Sequence, residues 1–146
     1  MFVYIVANQM DDMVLTGANG IVYTAPRAPQ HKADADQLWD VRELSNGKWG
    51  VIYSKLFDNV LDVVYSNTNE GATVITKNKD SGTNRLWRYD NGVIISKLNG
   101  KALQIMSVNR IVLSSVEKSA RHQNWSFQYP HKQGESSAHY NRTLLF

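Results

Sequence analysis

The chain has 146 residues, 42% of them hydrophobic and 20% charged, with 9 Gly, 3 Pro and no Cys, a composition that implies one ordinary globular domain without disulfides, thiolate chemistry or Cys-based zinc sites. Its 16 basic and 13 acidic residues are scattered along the chain, which leaves no footprint for nucleic acid. The longest apolar run, residues 1–7, falls far short of the roughly 20 residues of a membrane-spanning helix and lacks the flanks of a secretory signal, so the sequence predicts no membrane insertion and a cytoplasmic location.

Along the chain, three units repeat one order of landmarks. The first, about residues 1–47, opens with Val6-Ala7-Asn8-Gln9-Met10 and Val14-Leu15-Thr16, passes the turn string Gly17-Ala18-Asn19-Gly20 to Val22-Tyr23-Thr24, and closes on Gln37-Leu38-Trp39. Within it, Leu38, Val41 and Leu44 have helical spacing over residues 33–44, but the counterparts of this stretch in the later units read as strands and outweigh it. The second unit, about residues 48–90, carries Gly50-Val51-Ile52-Tyr53-Ser54-Lys55-Leu56, Val60-Leu61-Asp62-Val63, Val74-Ile75-Thr76 and Asn84-Arg85-Leu86-Trp87. The third, about residues 91–130, repeats it at a distance of 42 residues, with seven identities over the 14 positions 50–63, and goes on through Val112-Leu113-Ser114 to Gln123-Asn124-Trp125.

The landmarks are rich in Val, Ile, Thr and aromatics and are separated by Gly, Asn and Asp clusters, which is strand-and-turn chemistry. About four strands in each of three units give twelve. Units of about forty residues cannot each bury a core alone, so they must close around a shared axis. The predicted fold is all-β, a β-trefoil with almost no helix. Trp39, Trp87 and Trp125, at equivalent positions, are expected to fill the shared interior. Gln37 and Gln123 are expected to tie backbone groups, with Arg85 replacing them in the second unit. His31, His122, His131 and His139 show no metal-ligand spacing, and no nucleophile, paired carboxylates or phosphate loop stands out, so no metal, cofactor or catalysis is expected. The Asn-x-Ser/Thr strings at Asn124 and Asn141 are expected to be unmodified.

With its three closing strings at trefoil spacing and Leu61-Asp62-Val63 in the second unit, the chain resembles the Gln-x-Trp β-trefoil lectins of the ricin B-chain type over residues 1–130. Without cysteine, it looks most like the fruiting-body lectins of mushrooms. The resemblance implies a non-catalytic, multivalent binder of galactose- or N-acetylgalactosamine-type glycans and glycoproteins. It also implies that the residue after the Leu and the residue before the closing string contact the sugar: Asp62 and Asn84 in the second unit, Thr16 and Asp36 in the first, Gln104 and His122 in the third. Where the family places a stacking aromatic, counting from Val22, Val74 and Val112, this chain has Ala25, Lys77 and Ser115. Tyr65 and Tyr23 are the nearest aromatics in sequence to take over that part.

Two other readings stand beside this one. A β-trefoil proteinase inhibitor would use an exposed loop over residues 25–31, stiffened by Pro26 and Pro29 around Arg27. A heparin-like anionic partner would be met by Lys and Arg on one face. Residues 131–146 lie beyond the repeats and end in Tyr140 and Leu144-Leu145-Phe146. These apolar side chains are expected to pack on the N-terminal strand with Phe2 and Tyr4, or on a second copy in a two-fold homodimer, the commonest closed assembly.

Overall fold

A computed structural model describes residues 2–18, 20–28, 35–56, 59–79, 82–107, 109–117, 119–130, 143, 144 and 146. Among these, the chain forms twelve strands: β1 (Tyr4–Ala7), β2 (Met13–Ala18), β3 (Ile21–Pro26), β4 (Trp39–Asp40), β5 (Tyr53–Ser54), β6 (Asn59–Val63), β7 (Val74–Asn78), β8 (Trp87–Asp90), β9 (Val93–Ser96), β10 (Ala102–Ser107), β11 (Arg110–Ser114) and β12 (Trp125–Gln128). Among the described residues helix is confined to short 3-10 turns, three of which, Ala35–Gln37, Thr83–Arg85 and Arg121–Gln123, lead into the three tryptophans. None is long and apolar enough to cross a membrane. The helical spacing over residues 33–44 resolves into one of these turns, β4 and a second 3-10 segment, Arg42–Gly47.

Six strands close a barrel. β1 pairs with β12, β4 with β5 and β8 with β9, all antiparallel. The ring is completed at three equivalent seams: Val3 bridges Trp39, Gly50 bridges Trp87, and the Trp125 N–H donates to the Gly92 carbonyl at 2.7 Å. The other six strands form the hairpins β2–β3, β6–β7 and β10–β11, which meet one another through Ile21 with Ile75 and Thr73 with Val112. This is the β-trefoil read from the repeat.

Alternation along the barrel strands divides the apolar residues between two faces. Val3, Ile5 and Ala7 join Ile52, Ile94 and the three tryptophans in the central core, while Tyr4 and Val6 pack outside the wall with Val14, Leu38 and Phe2. Trp39, Trp87 and Trp125 are fully buried. Each indole N–H donates to the backbone carbonyl of the central leucine of its hairpin: Trp39 to Leu15 at 3.0 Å, Trp87 to Leu61 at 3.0 Å and Trp125 to Leu103 at 3.1 Å. These bonds pin each hairpin onto the barrel with threefold regularity. Gly17 is fixed by the same packing, since a Cβ there would lie 2.8 Å from both the Trp39 ring and Thr76.

Strand register corrects one detail of the repeat. Thr16, Asp62 and Gln104 lie opposite Tyr23, Ile75 and Val112. The counterpart of Val22 and Val74 is therefore Ile111, and the expected stacking position in the third unit falls on Ser114 rather than Ser115. The irregular step between Ile105 and Ser107 in β10 marks where the third hairpin departs from the other two.

Thr143, Leu144 and Phe146 pack on the chain's own barrel. Thr143 bridges Gln128, the Leu144 N–H donates to the Phe127 carbonyl at 2.7 Å, and Phe146 meets the rings of Phe127 and Tyr89 at centroid distances of 5.5 and 6.2 Å. For Leu144 and Phe146 the receiving surface is thus β12 and Tyr89, not the Phe2 and Tyr4 cluster. Tyr140, Leu145, His31, His131, His139 and Asn141 lie outside the described residues. Replacing Trp87 by Phe keeps an aromatic ring but leaves the buried Leu61 carbonyl without its donor. Such a group costs about 1–3 kcal/mol, so Trp87→Phe should lower the unfolding free energy by that order in a urea titration.

Candidate functional site

The second unit brings Asp62 and Asn84 together. Asp62 sits on β6 directly after Leu61, whose carbonyl is held by Trp87, and Asn84 sits on the 3-10 turn three residues before that same Trp. The Asn84 side-chain amide donates to Asp62 Oδ1 at 2.5 Å, and the same oxygen accepts the Val63 N–H at 2.7 Å. Gly82 makes room for this arrangement: it has φ +142°, and a Cβ on it would lie 2.5 Å from Asn84 Oδ1.

Asp62 itself is fully buried. The cavity of about 190 Å³ beside it is walled by Val63, Val64, Tyr65, Ser66, Ile75, Lys77 and Asn84. Four of the residues picked from sequence therefore converge here, Asn84, Tyr65 and Lys77 on the wall and Asp62 behind Asn84. Tyr65 is 98% exposed and belongs to the 3-10 segment Val64–Ser66, where it and Ser66 both adopt left-handed backbone, φ +49° and +51°. For non-glycine residues that conformation costs about 1–2 kcal/mol each, and such strain gathers at binding sites. Ser66 is the residue that sequence reasoning missed, because nothing in a Tyr-Ser dipeptide announces paired left-handed backbone.

The other two units place their candidates in different surroundings. Thr16 is buried and its hydroxyl donates to the Val14 carbonyl at 3.2 Å, while Asp36 is half-buried on the turn Ala35–Gln37. In the third unit the Gln104 side-chain oxygen accepts from the Gln123 amide at 2.9 Å, and His122 is exposed on its turn. The expected stacking position is covered from another unit: Glu70 accepts from the Ser114 hydroxyl at 2.8 Å and the Ser115 N–H at 3.0 Å, and pairs with Lys101 at 3.2 Å. Gln37 and Gln123 each clamp the chain ahead of their turn, Gln37 between the Pro26 carbonyl and the Ala28 N–H, Gln123 between the Ser115 carbonyl and the Glu117 N–H. Both tie backbone, as the repeat predicts. Asn124 is half-buried, and its side-chain amide donates to the Ala120 carbonyl at 2.8 Å.

Arg27, on which the inhibitor reading depends, is not presented to solvent. Its side chain is 4% exposed, pairs with Asp12 at 3.0 Å and lies over the Tyr4 ring at 5.1 Å. Pro29, Gln30 and His31 of that loop lie outside the described residues.

No family model matches the chain, and no curated protein matches it. Solved structures do. ThreeFoil, a designed threefold-symmetric protein, is 22% identical with a TM-score of 0.75, over 86% of this chain and 96% of its own. The earthworm R-type lectin C-half is 21% identical with a TM-score of 0.63, over 86% and 96%. The Polyporus squamosus lectin is 18% identical with a TM-score of 0.74; the match takes in 88% of this chain but only 48% of that one. The likeness is one of fold.

The Glu70 cluster gives a pH signature. Hydrogen bonds from the Ser115 N–H and the Ser114 hydroxyl, with Lys101 beside them, pull its carboxyl down from 4.5 to about 2. A carboxylate depressed in the folded state stabilises fully above its unfolded pKa and loses that stabilisation as pH falls through the folded one. Glu70→Gln should therefore remove part of the stability lost between pH 4.5 and 2, read as a flatter melting temperature against pH over that window.

Proposed function

We propose that the chain is a non-catalytic glycan-binding protein with its sugar site in the second unit. The observation that carries this reading is the Asn84–Asp62 hydrogen bond of 2.5 Å on the wall of a cavity that also holds an exposed Tyr65. A saccharide needs directed hydrogen bonds to its hydroxyls and a flat apolar face for its C–H side. Asn84 supplies the first and the Tyr65 ring the second. The volume is below the roughly 300–1,000 Å³ of drug-sized pockets, a scale suited to a single sugar ring. Because Asp62 is buried, it acts as a positioning residue, fixing Asn84 through a charge-assisted bond.

Galactose or N-acetylgalactosamine is the proposed ligand. Support comes from the similar lectins: the earthworm C-half was solved with GalNAc, and the Polyporus squamosus lectin with Neu5Aca2-6Galb1-4GlcNAc. The Vibrio vulnificus hemolysin/cytolysin β-trefoil lectin, 17% identical with a TM-score of 0.66 over 90% of this chain and 96% of its own, was solved with N-acetyl-D-lactosamine. Thr16 with Asp36 and Gln104 with His122 are secondary candidates, lacking a carboxylate–amide pair. The buried Arg27 leaves the proteinase-inhibitor reading without its central residue.

Agglutination needs more than one site per particle, which the homodimer expected from the apolar tail would provide. Leu144 and Phe146 contact their own barrel, so a dimer would have to cover the part of Phe146 that stays exposed, 41%. Light scattering at micromolar concentration reads the number of chains, and hence of second-unit sites, per particle.

The reading is tested by a glycan array followed by calorimetry with galactose and N-acetylgalactosamine. Asn84→Ala should weaken binding by about 1–3 kcal/mol and Tyr65→Ala by about 0.5–1.5 kcal/mol. Asp62→Asn, whose amide oxygen still accepts from Val63, should recover part of the affinity that Asp62→Ala loses. An array without galactose-type hits, or an Asn84→Ala variant that binds like the parent, overturns the proposal.

A further inference from the structure

A second cavity, about 590 Å³ in volume, opens on the barrel wall where the first unit meets the second, lined by Phe2, Asp40, Arg42, Glu43, Tyr53, Ser54 and Lys55. It shares none of the residues of the Asn84 cavity. Its charges are mixed, but its acceptors are already engaged. Both Asp40 oxygens accept from the Arg42 guanidinium at 2.7–3.0 Å. Glu43 Oε1 accepts the Val51 N–H at 3.2 Å and Oε2 accepts the Tyr53 hydroxyl at 2.6 Å.

The donors are a different matter. Arg42 faces Asp40 with Nε and Nη2 only, and its side chain is 73% exposed. The Nη1 pair and one Nη2 hydrogen are turned to no described partner. The Lys55 ammonium lies over the Phe2 ring at 5.3 Å, a weak contact for an exposed cation. The Ser54 hydroxyl accepts from the Leu56 N–H at 3.0 Å and keeps its own hydrogen to give. Two half-buried rings, Phe2 and Tyr53, complete the walls. The cavity therefore offers surplus donors, two of them cationic, next to apolar ring surface.

We propose that this cavity binds an acidic saccharide, its anionic group met by Arg42 and Lys55 and its ring packed between Phe2 and Tyr53. A planar carboxylate matches the open fork of Arg42; a sulfate ester presents the same acceptors. The inference is independent of the galactose site. It gives the chain a second saccharide contact of different chemistry, placed on the barrel wall instead of at a hairpin.

The test is nuclear magnetic resonance on the isotope-labelled full chain, titrated separately with galactose, galacturonic acid, galactose 6-sulfate and sodium sulfate. Galacturonic acid or galactose 6-sulfate should shift the amides of residues 2, 42 and 53–55, whichever binds more tightly naming the carboxylate or the sulfate as the natural group. Galactose should leave these amides in place. Lys55→Gln, chosen because Lys55 is exposed and its removal strands no buried partner, should weaken that binding about fivefold. Lys48→Gln, which removes the same charge elsewhere on the surface, should not. Shifts confined to residues 62–66, 77 and 84, equal binding of sodium sulfate, or equal loss in the two lysine variants would each overturn the proposal.

Discussion

The fold depends on one contact repeated three times, a tryptophan indole N–H donating to the carbonyl of a hairpin leucine. The ring fills the barrel interior, where its area is worth most, and its single donor must find a partner there because a buried, unpaired N–H is costly. A rigid ring leaves the donor little choice of place, so the leucine carbonyl and the strand that bears it are located to within a hydrogen bond. Leu15, Leu61 and Leu103 are fixed in this way relative to Trp39, Trp87 and Trp125. The residue after each leucine is then set facing the turn that leads into the tryptophan. The Asp62–Asn84 pair is a consequence of that placement: both members are anchored through Trp87, one from the hairpin and one from the turn.

The same frame is completed differently in each unit. Gln37 and Gln123 join the turn to the chain that follows the hairpin by accepting one backbone N–H and donating to one carbonyl. In the second unit Arg85 occupies that position, and the turn is held to the hairpin by Asn84 and Asp62 instead. In the third unit the amide of Gln123 also takes up Gln104, and Glu70 reaches across from the second unit to cover Ser114 and Ser115. Threefold symmetry of the backbone coexists with three different sets of polar contacts between hairpin and turn.

Cations lying over aromatic rings recur across the described surface: Lys55 over Phe2, Lys79 over Tyr53, and Arg88 with Lys97 over Trp49. In a chain with a net charge of only +3, these local pairings matter more than the total. They keep large rings at the surface partly covered, and they hold basic groups beside apolar area. Tyr65 has no such cover among the described residues, at 98% exposure, and holds a backbone conformation that sequence propensity disfavours.

The repeat, the strand-and-turn composition and the closing strings determined the trefoil from sequence alone, because twelve short strands in three equal units have few ways to bury their apolar faces. The burial of Trp39, Trp87 and Trp125, and the backbone-tying part of Gln37 and Gln123, followed from the same symmetry. That Asp62 and Asn84 belong to one site was legible through the resemblance of their positions to those of the Gln-x-Trp lectins, but the hydrogen bond between them was not. Only the tertiary structure decided what depends on contacts distant in sequence. Asp62 is sealed behind Asn84, because packing on both sides of β6 sets its depth and no local pattern reports that. Arg27 is drawn inward by Asp12 and Tyr4, and Glu70 is placed over Ser114 by the meeting of two hairpins. Leu144 and Phe146 close on β12 because that edge and the Tyr89 ring are left uncovered by the barrel. The cavity between Phe2, Arg42 and Lys55 arises where two units meet, a place that no single stretch of sequence describes.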